Sequence, residues 1–93
     1  MFERLTDLET EYAQLERDLS DPAIHSDPDR ARAVGRRYGE LGPIISVYQQ
    51  WRQAGEDEAT ARELSSEDSS FAAEADQLAQ QREQLQRRLE KRV

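Results

Sequence analysis

The sequence predicts an all-α fold: an elongated antiparallel three-helix bundle, or coiled-coil hairpin, with a long middle helix kinked at Pro43. Two observations carry that prediction. Apolar residues recur three and four positions apart along three separate stretches, the spacing of one helix face. Between the stretches lie Ser20-Asp21-Pro22 and the polar, cap-rich run from Ser65 to Ser70, each short enough to return a helix along its neighbour.

Composition at first sight opposes this. Leu, Ile, Val and Phe supply 17 of 93 residues and the formal net charge is -7, a balance ordinarily associated with disorder. The few large apolar residues nevertheless fall almost wholly on helical stripes, and a narrow seam needs fewer of them than a rounded core. With no cysteine, a disulfide framework and a thiolate metal site are both excluded. No apolar run is long enough to span a bilayer and Met1-Phe2-Glu3-Arg4 does not begin a signal peptide, so a cytoplasmic location is expected by default. The acidic balance argues against broad gripping of nucleic acid. Counted helix by helix, the first is the acidic one, with six acids and two bases over residues 1–19 against six and five over 65–93.

Helix one is expected at about residues 2–19, where Met1, Leu5, Leu8, Tyr12, Leu15 and Leu19 form a heptad seam. Glu3, Asp7 and Glu9 suit its positive N-terminal end. Asp21-Pro22 ends it, because the residue before proline avoids the helical region and proline cannot extend the hydrogen-bond ladder. A loop through Ala23-Ile24-His25 follows, with Ile24 folding back as a plug.

The middle helix is expected at about residues 28–64, capped by Ser26 or Asp27, with Pro28 in its first turn. Its stripe runs through Ala31, Val34, Tyr38, Leu41, Ile45 and Tyr48. An interior proline removes one hydrogen bond and crowds the carbonyl four residues back. Here that residue is Gly39 and Gly42 precedes the proline, so a kink is expected in preference to a break. Beyond Ala54-Gly55 the seam turns small and polar through Ala59, Ala61 and Leu64. The third helix is expected at about residues 69–92, with Phe71, Ala75, Leu78, Leu85 and Leu89 as its seam and Arg82 in one core-side slot. Arg87, Arg88, Lys91 and Arg92 complement its negative end, and the absence of a closing Gly or Pro suggests a truncated chain. By length, helix one covers the Pro28–Val47 half of the middle helix. Helix three covers the remainder, overlaps helix one near Tyr38–Tyr48, and leaves a two-helix tip at about residues 54–75. Tyr12, Tyr38, Tyr48 and Trp51 then fall where the core is thickest.

Candidate chemistry is sparse. His25 stands in a loop with no second His and no Cys, which favours an exposed residue over a ligand or base. Glu56-Asp57-Glu58 occupies consecutive helical positions that point apart, so it reads as a solvated face and not a cation site. Arg30, Arg32, Arg36 and Arg37 are the candidate RNA-phosphate contact: Arg32 and Arg36 share one helix face, and Arg30 and Arg37 another. The plainer alternative is a pair of intrahelical ion pairs, Asp29 with Arg32 and Arg36 with Glu40. There is no Ser-His-Asp set, phosphate loop or zinc spacing. No catalytic, metal or cofactor residue is assigned, and the chain is not expected to be an enzyme.

Taken together, Phe2, Leu5, Leu8, Tyr12, Leu15 and Leu19, then Asp21-Pro22 and Ile24, then Asp27, Arg30, Tyr38, Leu41, Pro43-Ile44-Ile45, Tyr48 and Trp51, and finally the acidic segment and the Leu78/Leu85/Leu89 helix, form a specific pattern. It resembles the N-terminal helical domain of the bacterial peptide chain release factor 1 family of class I factors. The most specific part is Ser20-Asp21-Pro22-Ala23-Ile24 at a fixed distance from Leu41-Gly42-Pro43-Ile44-Ile45. The sister factor typically carries Trp where this chain has Ile24-His25. The resemblance implies translation termination at UAA and UAG codons on the ribosome. The family's Gly-Gly-Gln loop and codon-reading Pro-X-Thr are absent here, which implies that they lie beyond Val93 in a longer factor. It also implies an accessory docking domain near the base of the ribosomal stalk, touching ribosomal protein and rRNA, with the class II release-factor GTPase as a further partner. The isolated fragment is then expected to be a monomer. A stand-alone coiled-coil adaptor or chaperone-like oligomerisation module is the alternative.

Overall fold

The computed structural model describes residues 2–92, with side chains from residue 3. Met1, placed above in the first seam, and Val93 lie outside the described residues. The elements are α1 (Phe2–Ser20), a 3-10 turn (Pro22–Ser26), α2 (Pro28–Ser65) and α3 (Ser70–Arg92). The fold is all-α, and no strand occurs among the described residues. Among the described residues no helix is long and apolar enough to cross a membrane. The described residues form two compact units that divide within α2, between Ser46 and Val47.

In the first unit, α1 lies antiparallel to the opening half of α2. Partners across the hairpin show the direction: Asp18 meets Arg30, while Glu11, two turns earlier, meets Arg37 further on. Leu5, Ile24, Val34, Leu41 and Ile45 are buried. Leu8, Tyr12, Leu15 and Leu19 are half-buried. Burial of Leu5 or Leu41, both essentially inaccessible, is worth about 1.5–3 kcal/mol each.

The segment expected as a loop is a 3-10 turn. The Asp21 carboxylate accepts the Ala23 N–H at 3.0 Å, and Pro22 occupies the first turn where no N–H is required. That turn carries Ile24 inward, where it is 3% exposed and acts as the expected plug. Asp27 is the cap of α2, its side chain accepting the Arg30 N–H at 3.2 Å. Ser26 turns its hydroxyl back to the Ala23 carbonyl at 2.6 Å.

α2 continues unbroken through Pro43. Proline leaves the Gly39 carbonyl without its N–H partner, and both residues face solvent, where water can take that acceptor.

The second unit pairs the closing half of α2 with α3. Arg62 faces Asp76, Glu58 faces Arg82, and Gly55 lies against the Arg82 side chain, again antiparallel. Its buried residues are Val47, Tyr48, Ala54, Ala61, Ala75, Leu85 and Leu89. Three of them are alanines, so small side chains line much of the seam. The turn between the helices needs no left-handed residue. The Leu64 carbonyl accepts N–H groups from Glu67 at 3.1 Å and Asp68 at 2.9 Å, and the Asp68 carboxylate accepts the Ser70 N–H at 3.0 Å. The Ser70 backbone and hydroxyl hold that carboxyl below its usual range.

Candidate functional site

The four arginines of the opening α2 turns do not behave alike. Arg37 is committed to α1: its Nε donates to Glu11 Oε2 at 2.6 Å and its second nitrogen to Oε1 at 3.0 Å, a forked pair. Glu40 lies 3.6 Å away on the same guanidinium. The hydrogen bonds from Arg37 hold the Glu11 carboxyl below its usual range, and those to Glu11 hold Arg37 more firmly protonated. The plain alternative paired Glu40 with Arg36; the structure gives Glu40 to Arg37. Beside this brace the rings of Tyr12 and Tyr38 stack at 4.4 Å and 10°. The hydrogen bond with Tyr12, and then burial, push the Tyr38 phenol up to about 12.

Arg30, Arg32 and Arg36 face solvent. Arg32 meets Asp29 at 2.6 Å, the expected intrahelical pair, and Arg30 reaches only to 3.9 Å from Asp18. Exposed pairs of this kind hold a side chain weakly. Arg32 and Arg36, four residues apart, project from the same side of α2 with guanidinium groups available to an anionic surface. The sequence cluster therefore separates into three outward cations and one structural brace.

The second hairpin also differs from its reading as a sequence. Glu56 and Asp57 are solvated, but Glu58 turns toward α3, with its side chain only 12% exposed. Its carboxylate lies 3.2 Å from Arg82 and 3.5 Å from Arg62. Arg82 thus occupies its core-side slot as one partner of an ion pair across the hairpin. Trp51 is half-buried and stacks on Tyr48 with ring centres 6.0 Å apart, while Arg52 covers the other aromatic partner, 4.6 Å from the Tyr48 ring centre. His25 is exposed, and no three His, Asp or Glu side chains among the described residues come together as a metal site.

One feature escaped the sequence reading. Near the α2–α3 turn, Ala61, Leu64, Phe71 and Leu78 line an open groove of about 200 Å³, with Asp57 and Glu74 at its edge. Leu64 is 40% exposed, the one exposed large apolar side chain among the described residues. Heptad spacing places Leu64 and Phe71 on seams, and nothing in that spacing marks them as open.

Residues 8–93 match the PCRF domain family. Over 89 residues the chain is 45% identical to peptide chain release factor 1 of Streptomyces coelicolor, covering 96% of this chain and 25% of that protein. Identity with peptide chain release factor 1 of Thermobifida fusca is 49% over 86 residues, covering 92% of this chain and 24% of that protein. For the Renibacterium salmoninarum protein of the same name it is 48% over 93 residues, covering 96% and 26%. The chain spans about a quarter of the length of the curated relatives it matches. No solved structure matches it.

Proposed function

The chain belongs to the PCRF domain family, and on that premise we propose that it is the docking and positioning domain of a peptide chain release factor that ends translation at UAA and UAG codons. The observation that carries the reading is identity of 45% to 49% across nearly the whole chain with proteins named peptide chain release factor 1. Peptidyl-tRNA hydrolysis and codon reading belong to other parts of that factor. This domain contributes placement on the ribosome, near the base of the stalk, with ribosomal protein, rRNA and the class II release-factor GTPase as its partners.

Arg30, Arg32 and Arg36 suit an rRNA-facing side. Their side chains are exposed, and the pairs they make, Arg32 with Asp29 at 2.6 Å and Arg30 with Asp18 at 3.9 Å, are open to solvent, so phosphate oxygens can compete for them. Arg37 supports that surface from behind by fixing α2 to α1 through Glu11.

The test joins this chain to the remaining three quarters of the Streptomyces coelicolor factor, in place of the matching segment. The chimera should release peptide from ribosomes stopped at UAA or UAG and not at UGA. The double change Arg32→Glu and Arg36→Glu should weaken its ribosome affinity about tenfold and reduce the salt slope by about two. A chimera inactive at all three codons would overturn the family role. An unchanged affinity and salt slope in the double variant would overturn the arginine assignment alone.

A further inference from the structure

Grouped by position in the second hairpin and not by helix, the charges separate sharply. Residues 54–78, which comprise the end of α2, the turn and the start of α3, hold eight carboxylates and one base, Arg62. The rest of the chain holds twelve of each, so the whole formal net charge of -7 lies at this end. Arg62 is itself shared between Glu58 at 3.5 Å and Asp76 at 3.7 Å. Glu63, Glu67 and Glu74 face solvent around it.

The apolar groove of Ala61, Leu64, Phe71 and Leu78 opens within this field. At about 200 Å³ it has room for an aliphatic side chain. Asp57 and Glu74 at its edge would meet whatever flanks that side chain. RNA and anionic lipid are repelled here, and so is the same end of a second copy. What fits is an apolar group carried between cations.

We propose that this end of the hairpin docks a Lys/Arg-rich amphipathic helix of a partner protein, one of whose aliphatic side chains enters the groove beside Leu64 and Phe71. The helix-in-groove arrangement places apolar anchors against the floor and the flanking cations against the carboxylate edge. This inference stands without the release-factor reading, because it rests on the groove and on the charge around it.

The experiment titrates the whole chain with a fluorescein-labelled amphipathic Leu/Lys helical peptide, followed by anisotropy. Saturable binding is expected, weakened about tenfold by Leu64→Ser and about fivefold by Asp57→Asn with Glu74→Gln. These side chains line an open groove, so the variants should retain wild-type helicity by circular dichroism. A peptide of equal charge with Ser in place of Leu should bind at least about tenfold more weakly. Equal binding of the Leu and Ser peptides would reduce the effect to charge attraction and overturn the proposal, as would insensitivity to Leu64→Ser. Binding of an RNA hairpin lost on Leu64→Ser, or a dimer lost on the same change, would assign the groove to a different occupant and overturn it equally.

Discussion

Up to Ser46 the chain holds its helices together with large side chains and with groups that reach across: Leu5, Leu41 and Ile45 in the interior, the Tyr12–Tyr38 stack, and the fork from Arg37 to Glu11. From Val47 onward Ala54, Ala61 and Ala75 take much of the seam, large residues gather at Tyr48, Leu85 and Leu89, and the turn end keeps Leu64 open. A single continuous helix, α2, supplies one side of both hairpins. The difference teaches what each arrangement leaves over. Large interlocking groups consume their own surface and fix two helices in register. A seam of alanines has little apolar surface to bury, so its few large residues can be left for another molecule.

Truncating the interiors should test this contrast most strongly. Leu41→Ala in the first hairpin and Leu89→Ala in the second should each cost about 2–5 kcal/mol in urea unfolding. Hydrogen exchange on the same variants should show lost protection concentrated in the hairpin that carries the change. Equal loss in both would mean that the two units unfold as one. Next in size, Ala75→Leu should destabilise by about 1–3 kcal/mol, because Ala75 is fully inaccessible and three added carbons have no space. A neutral or stabilising result would show that the alanine seam can be wedged open without penalty.

The smallest effect belongs to pH. The Tyr38 phenol ionises in the unfolded chain near pH 10.0 and in the folded one at about 12, so the folded state holds the proton over that interval. Its contribution is complete below pH 10.0 and disappears as pH rises through about 12. Alkaline unfolding followed by circular dichroism should therefore fall less steeply in Tyr38→Phe than in the native chain. Identical slopes would detach the tyrosine stack from the stability of the first hairpin.

Most of the architecture was legible in the sequence because it rests on periodicity and on local stop signals. The stripe from Val34 to Tyr48, the Asp27-Pro28 start and the Ile24 plug all follow from spacing and cap chemistry. Partner choice was not legible. Arg36 and Arg37 stand one residue apart, and only the packing of α1 decides that Arg37 meets Glu11 while Arg36 faces solvent. Glu58 looked like one of three solvated acids, and the position of Arg82 on α3 makes it a partner. The acidic end escaped for a related reason. Its carboxylates are divided among two helices and a turn, so a count taken helix by helix assigns the excess to α1.

The separation of charge in the second hairpin has a consequence before any contact is made. Opposite the acidic end, residues 47–53 and 79–93 hold six bases and two acids. The backbone dipoles of α2 and α3 run in opposite directions and largely cancel, so side chains set the electrical moment of the hairpin. A moment of this size exerts a torque. In the field of a highly charged assembly the hairpin turns its negative end toward positive potential while still diffusing, which reduces the number of unproductive collisions. Added salt shortens the reach of that torque to about 8 Å at physiological strength. Orientation would then be lost first, with the contacts themselves still intact.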